Sequence, residues 1–118
     1  MVELKTELSP FRIVFGRTKS VELMVQVIND NEKARLVTCD VILSNQLSFE
    51  KQGMTNAKTL NLGEMAPAQK ALYYFPIYPK MSIEKGEQPI VISVVEHFNN
   101  NPDYILSKKT KTIHLRVE

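Results

Sequence analysis

A chain of 118 residues and 13.5 kDa with 43% hydrophobic and 24% charged residues has the size and composition of a single folded domain over 1–118, and excludes a disordered polypeptide. A net charge of +2 and a pI of about 8.7 are too mild for a dedicated nucleic-acid surface, which concentrates cations on one face. One cysteine, Cys39, excludes an intrachain disulfide, and no stretch approaches the ~20 apolar residues of a membrane-spanning helix.

The first residues, Met1 to Leu8, alternate apolar and polar side chains and lack the basic start and continuous apolar core of a signal peptide. As a complete protein the chain reads as cytoplasmic; as one domain of a longer chain it reads as an extracellular surface module. Val2, Leu4 and Leu8 begin a short strand that Ser9-Pro10 stops, because proline cannot donate to a sheet ladder. Phe11 to Phe15 is a second extended piece, ended by Gly16. Such a strand-turn-strand start is expected to cross from one sheet to another.

From Ser20 to Asn29 the period is two: Val21, Leu23, Val25 and Val27 share a face, with Glu22, Met24 and Gln26 opposite. Asn29-Asp30-Asn31-Glu32 supplies turn chemistry. The next strand, Arg35 to Ser44, offers Val37, Cys39, Val41 and Leu43 to the core, since the other face carries Asp40. Leu47 to Glu50 reads as a short edge strand, and Lys51 to Asn56 as a polar connection. Lys58 to Leu62 is a strand closed by Gly63, followed by a turn at Met65 to Ala68. From Gln69 to Tyr78, Ala71, Tyr73, Phe75 and Ile77 face inward, and Pro76 and Pro79 place the end of this strand at a sheet edge. After a turn at Lys85-Gly86, Ile90 to Phe98 and a run ending Ile113 to Val117 flank Asn99-Asn-Asn-Pro-Asp103 as a long antiparallel hairpin. Its inward residues are Ile90, Ile92, Val94, Ile113, Leu115 and Val117.

No window shows a 3.6-residue period with a cap and a stop. About seven to nine short strands without helices predict an all-β, immunoglobulin-like sandwich of two antiparallel sheets.

Val25-Gln-Val-Ile-Asn29-Asp-Asn-Glu-Lys-Ala34 followed by Val37-Thr-Cys-Asp-Val41 resembles the region joining the second and third strands of CARDB-type and related archaeal surface-protein Ig-like domains. Leu60-Asn-Leu-Gly63-Glu-Met65-Ala-Pro67 is similar to the stretch before their fifth strand. Lys85-Gly86 before Ile90-Val-Ile-Ser-Val94 looks like their entry into the sixth. Where those domains carry glycine, this chain has Asn31 or Glu32 in the first turn and Ala68 after the proline. The resemblance implies a non-catalytic spacer or binding module, without a specific activity.

Reactive groups are sparse. Cys39, inward on a central strand, reads as a small apolar core residue. The histidines, His97 and His114, both lie on the closing hairpin. Pairing 97 with about 106 places 89 near 114 and holds them apart, whereas a metal needs three or four convergent ligands. Asn29, Asp30 and Asp103 could serve calcium, but read first as turn residues. Asp40, Glu50 and Glu96 show no acid–base spacing. No cofactor and no catalytic residue is assigned.

Two surfaces stand out. Val91 and Val95 on the closing hairpin, and Leu72, Tyr74 and Tyr78 on the strand before it, make second faces more apolar than a sandwich strand requires. They are the candidate interaction surface, for a protein partner or a second copy in a homo-oligomer. Lys108, Lys109, Lys111 and Arg116 form a basic stripe, read first as protection against edge-to-edge pairing rather than as a nucleic-acid site. The leading function is a non-catalytic protein-interaction or structural module. The alternative is a cell-surface adhesion or polysaccharide-associated module from a larger protein.

Overall fold

The pattern of alternate apolar residues becomes nine strands in a computed structural model that describes residues 2–14, 17, 19–81, 83–97, 101 and 103–118. They are β1 (Val2–Ser9), β2 (Arg12–Ile13), β3 (Val21–Asn29), β4 (Arg35–Leu43), β5 (Leu47–Ser48), β6 (Ala57–Met65), β7 (Lys70–Pro79), β8 (Gly86–His97) and β9 (Ile105–Val117). One sheet has the order β1-β3-β7-β5, the other β2-β9-β8-β4-β6. Every pairing is antiparallel except β2 with β9. The architecture is the all-β, immunoglobulin-like sandwich expected from the sequence, drawn out to 47 × 23 × 19 Å.

The core lies between the two inner faces. Val21, Leu23, Val25 and Val27 of one sheet meet Val37, Cys39, Val41, Ile90, Ile92 and Leu115 of the other, all between 0% and 2% exposed. Period two delivers this directly: each strand turns one residue in two toward the partner sheet. The chain start crosses between sheets as expected, β1 pairing β3 in one and β2 pairing β9 in the other, with a cis Ser9–Pro10 bond between them.

Several boundaries differ from the sequence reading. Gly63 does not end β6 but sits within it at φ +69, in a bulge where Val37 faces Gly63 and Thr38 faces Asn61. Gly86 opens β8 instead of a turn, because Gly86 to Gln88 already pair with Val117 to Leu115. Pro76 lies at a sheet edge as expected, but the Pro79 end of β7 is the part that β5 covers, Leu47 opposite Pro79 and Ser48 opposite Tyr78. It is Lys70 to Ile77 that pair β3 alone. Most of the hairpin loop at Asn99–Asp103, and the end of the second extended piece at Phe15-Gly16, lie outside the described residues.

One polar knot closes an end of the sandwich. The buried Asn29 side chain donates through Nδ2 to the carbonyls of Met65 (2.8 Å), Lys33 (3.1 Å) and Ala66 (3.3 Å). Its Oδ1 accepts from the backbone N–H (3.1 Å) and Nδ2 (2.8 Å) of Asn31. Asn31 Nδ2 also donates to Glu96 Oε1 at 2.7 Å, and Ser107 Oγ donates to Glu96 Oε2. The chain Asn29–Asn31–Glu96–Ser107 thereby ties the β3–β4 turn to β8 and β9, and satisfies a carboxylate that is only 5% exposed.

Candidate functional site

The five residues of the expected apolar surface do not share a face. Leu72 and Tyr74 project from β7 on the outer side of the four-stranded sheet and are 49% and 57% exposed. Val91 and Val95 project from β8 on the outer side of the other sheet, at the opposite flank of the sandwich. Val95 is only 7% exposed between its cross-strand neighbours Thr38 and Lys108, and Val91 is half-buried between Ile42 and Thr112. A single patch joining all five is therefore corrected: β8 is a central strand, so the side chains of β4 and β9 flank its outer face.

The outer face of the four-stranded sheet has a built centre. Register places Met24 opposite Tyr74 and Gln26 opposite Leu72, with Glu7 and Lys5 continuing those rows on β1. Glu7, Ser9, Glu22, Met24, Gln26, Leu72 and Tyr74 line an open depression of about 390 Å³. Met24 was visible in the sequence as an outward residue, but its place beside Tyr74 depends on the β3–β7 register, which no local pattern encodes. Tyr78 lies apart from them, in a second depression with Lys19, Ser20, Lys51, Pro79 and Met81.

The basic stripe is likewise divided. Lys108 and Arg116 share one parity of β9 with Thr110, Thr112 and His114, whereas Lys109 and Lys111 share the parity of the inward residues Ile113, Leu115 and Val117. Arg116 Nε pairs with Glu118 Oε1 at 3.2 Å, and Glu118 also meets Arg12 Nη1 at 3.3 Å. The three lysines enter no ion pair among the described residues.

His97 pairs with Ile105, and Pro89 with His114, so the two histidines stand at opposite ends of the hairpin. His97 Nε2 lies 3.0 Å from Thr38 Oγ1, and His114 Nδ1 lies 3.9 Å from Glu87. Among the described residues no three His, Cys, Asp or Glu side chains converge on a point that could hold a metal ion. Asp40 accepts from Thr59 Oγ1 at 2.7 Å on the outer face. Cys39 is fully buried beside it. Burial first, and then the Asp40 charge, push the thiol up to about 11, which keeps it protonated and poorly nucleophilic. No helix among the described residues is long and apolar enough to cross a membrane.

No family model and no curated protein sequence matches the chain. Solved structures do. Native α2-macroglobulin of Escherichia coli, from its MG7 domain to the C-terminus, superposes with a TM-score of 0.73 at 14% identity, covering 100% of this chain and 16% of that one. Self-complemented MyfA, the major subunit of the Myf fimbriae of Yersinia enterocolitica, gives 0.53 at 13% identity over 100% of this chain and 98% of that one. The alkylpurine DNA glycosylase AlkC of Pseudomonas fluorescens gives 0.53 at 12% identity over 98% of this chain and 30% of that one. The chain thus spans less than a fifth of the macroglobulin fragment. Identities this low establish the immunoglobulin-like fold alone, and the fold serves proteins of different roles. The motif order shared with CARDB-type domains has no family match beside it; what the likenesses support is the broader Ig-like class.

Proposed function

We propose that this domain is a non-catalytic interaction module that associates with a second copy through the outer face of its four-stranded sheet. The exposed Leu72 and Tyr74, beside the half-buried Met24, carry the reading. An outward sheet face is ordinarily polar, and large amphipathic side chains at its middle suit an interface core with a polar rim. The rim favours a second copy. Lys70 lies at one end of the patch, level with Ile28, and Glu22 at the other, level with Pro76. A two-fold rotation about an axis across the strands brings the Lys70 end of one copy to the Glu22 end of the other and stacks the Leu72 row on the Tyr74 row. Light scattering over a micromolar concentration series is expected to show mass above the monomer for the wild type, and a monomer for Leu72→Glu/Tyr74→Lys. A wild-type monomer throughout, or an undiminished oligomer in the double variant, overturns the reading.

The likeness to a fimbrial subunit over nearly its whole length supports a second reading, a cell-surface adhesion or polysaccharide-associated module. Specific retention on a glycan array, unaffected by the Leu72→Glu/Tyr74→Lys change, would favour it.

A further inference from the structure

We propose that the free edge of β9 is a second docking surface, which takes an extended acidic segment of another protein as an added strand. It rests on β9 and is independent of the Met24–Tyr74 face. β2 covers β9 only at Arg116 and Val117, so among the described residues nothing pairs the other side of Ile105 to Leu115. A row of unpaired N–H and C=O groups is a template for another strand.

The remaining edges are blunted in ways that β9 is not. β2 and β5 have two residues each. β6 carries the Gly63 bulge, and the free side of β7 carries Pro76. β1 is stopped by Pro10 and carries Lys5 between Glu3 and Glu7. From Ser107 to Val117, β9 runs without bulge, proline or glycine, and its residues from Ile105 to Thr112 are exposed on both faces.

Charge selects the occupant. Lys108, Lys109 and Lys111 stand within four positions of one another, no acidic residue interrupts Ile105 to Val117, and none of the three is in an ion pair. The nearby Glu96 carboxylate is already engaged by Asn31 and Ser107. A second β9 would set lysines against lysines, which disfavours self-pairing, whereas carboxylates at alternate positions of an incoming strand reverse the sign along the face of Lys109 and Lys111. Alongside lies a groove of about 260 Å³ lined by Val2, Val94, Glu96, Ser107, Lys108 and Lys109, which leaves room for the side chains of an incoming strand.

A labelled peptide of alternating valine and glutamate tests this against its analogue N-methylated at alternate residues, which has equal charge but cannot complete a ladder. Strand addition is expected to give saturable binding at low salt, weakened about 10-fold or more by N-methylation or by Lys109→Glu/Lys111→Glu, with new amide-exchange protection confined to Ser107–Ile113. Equal binding of both peptides, protection elsewhere, or no binding overturns the proposal. Leu72→Glu/Tyr74→Lys is expected to leave peptide binding unchanged, so failure of one surface does not decide the other.

Discussion

Asn29 shows how much one side chain can do at a strand end. In the sequence it is a turn former, and it does make that turn, through its Oδ1 bond to the Asn31 N–H. Its fully buried carboxamide also holds the carbonyls of Met65 and Ala66, which belong to a different turn 36 and 37 residues away. Asn29→Ala strands those acceptors together with the Glu96 relay. It is expected to lower unfolding free energy by about 3 kcal/mol in chemical denaturation, several times the effect of Asp30→Ala at its exposed neighbour. Cys39 acts through pH. Its folded pKa of about 11 lies above the ordinary 9.0, so the unfolded thiol ionises first as pH rises. The stability it contributes is complete below pH 9 and is lost toward pH 11. Cys39→Val is expected to flatten that part of the stability curve relative to wild type, and wild-type thiol should resist disulfide reagents at pH 8 until the protein unfolds. Ala68, in the turn before β7, adopts φ +65. Ala68→Gly is expected to raise stability by up to ~1 kcal/mol, relief of the left-handed strain exceeding the added freedom of the unfolded chain.

At the scale of elements, the sheet edges explain both what was legible and what was not. The inward sets of β3, β4, β7 and β8 could be read residue by residue, because a half-buried strand writes its burial in period two. The pairing partners could not, because β3 lies beside β7 and β4 beside β8 through contacts 40 or more residues apart in sequence, and nothing local specifies them. This is why Val91 and Leu72 seemed to belong to one surface. It is also why Gly63 seemed a terminator: only the partner strand reveals that the ladder resumes beyond it. In the sequence, the basic residues of β9 read as edge protection. On another edge strand, Lys58 of β6 stands opposite inward-facing Val41 and holds its ammonium 5.0 Å from the Phe49 ring centroid and 5.6 Å from that of Phe75. A cation on the inner side of an edge strand resists a further strand, because pairing would desolvate it. Lys58→Val is expected to keep the fold and shorten the lag before turbidity appears on warming; an unchanged lag would assign edge protection to the Gly63 bulge alone.

For the molecule as a whole, the chain builds a sandwich whose two flanks differ. The four-stranded sheet shows Leu72 and Tyr74 at its centre with a charged rim, whereas the five-stranded sheet sets the exposed Ile42 among hydroxyls, Asp40 and the basic β9. The inner faces account for the fold, and one outer face and the β9 edge for the proposed associations. The most direct measurement is residue-by-residue: amide chemical shifts of labelled protein followed on dilution from millimolar to low micromolar. Shifts concentrated at Met24, Gln26, Leu72 and Tyr74 are the expected result. No change on dilution, or changes confined to β8 and β9, would contradict association through the four-stranded sheet.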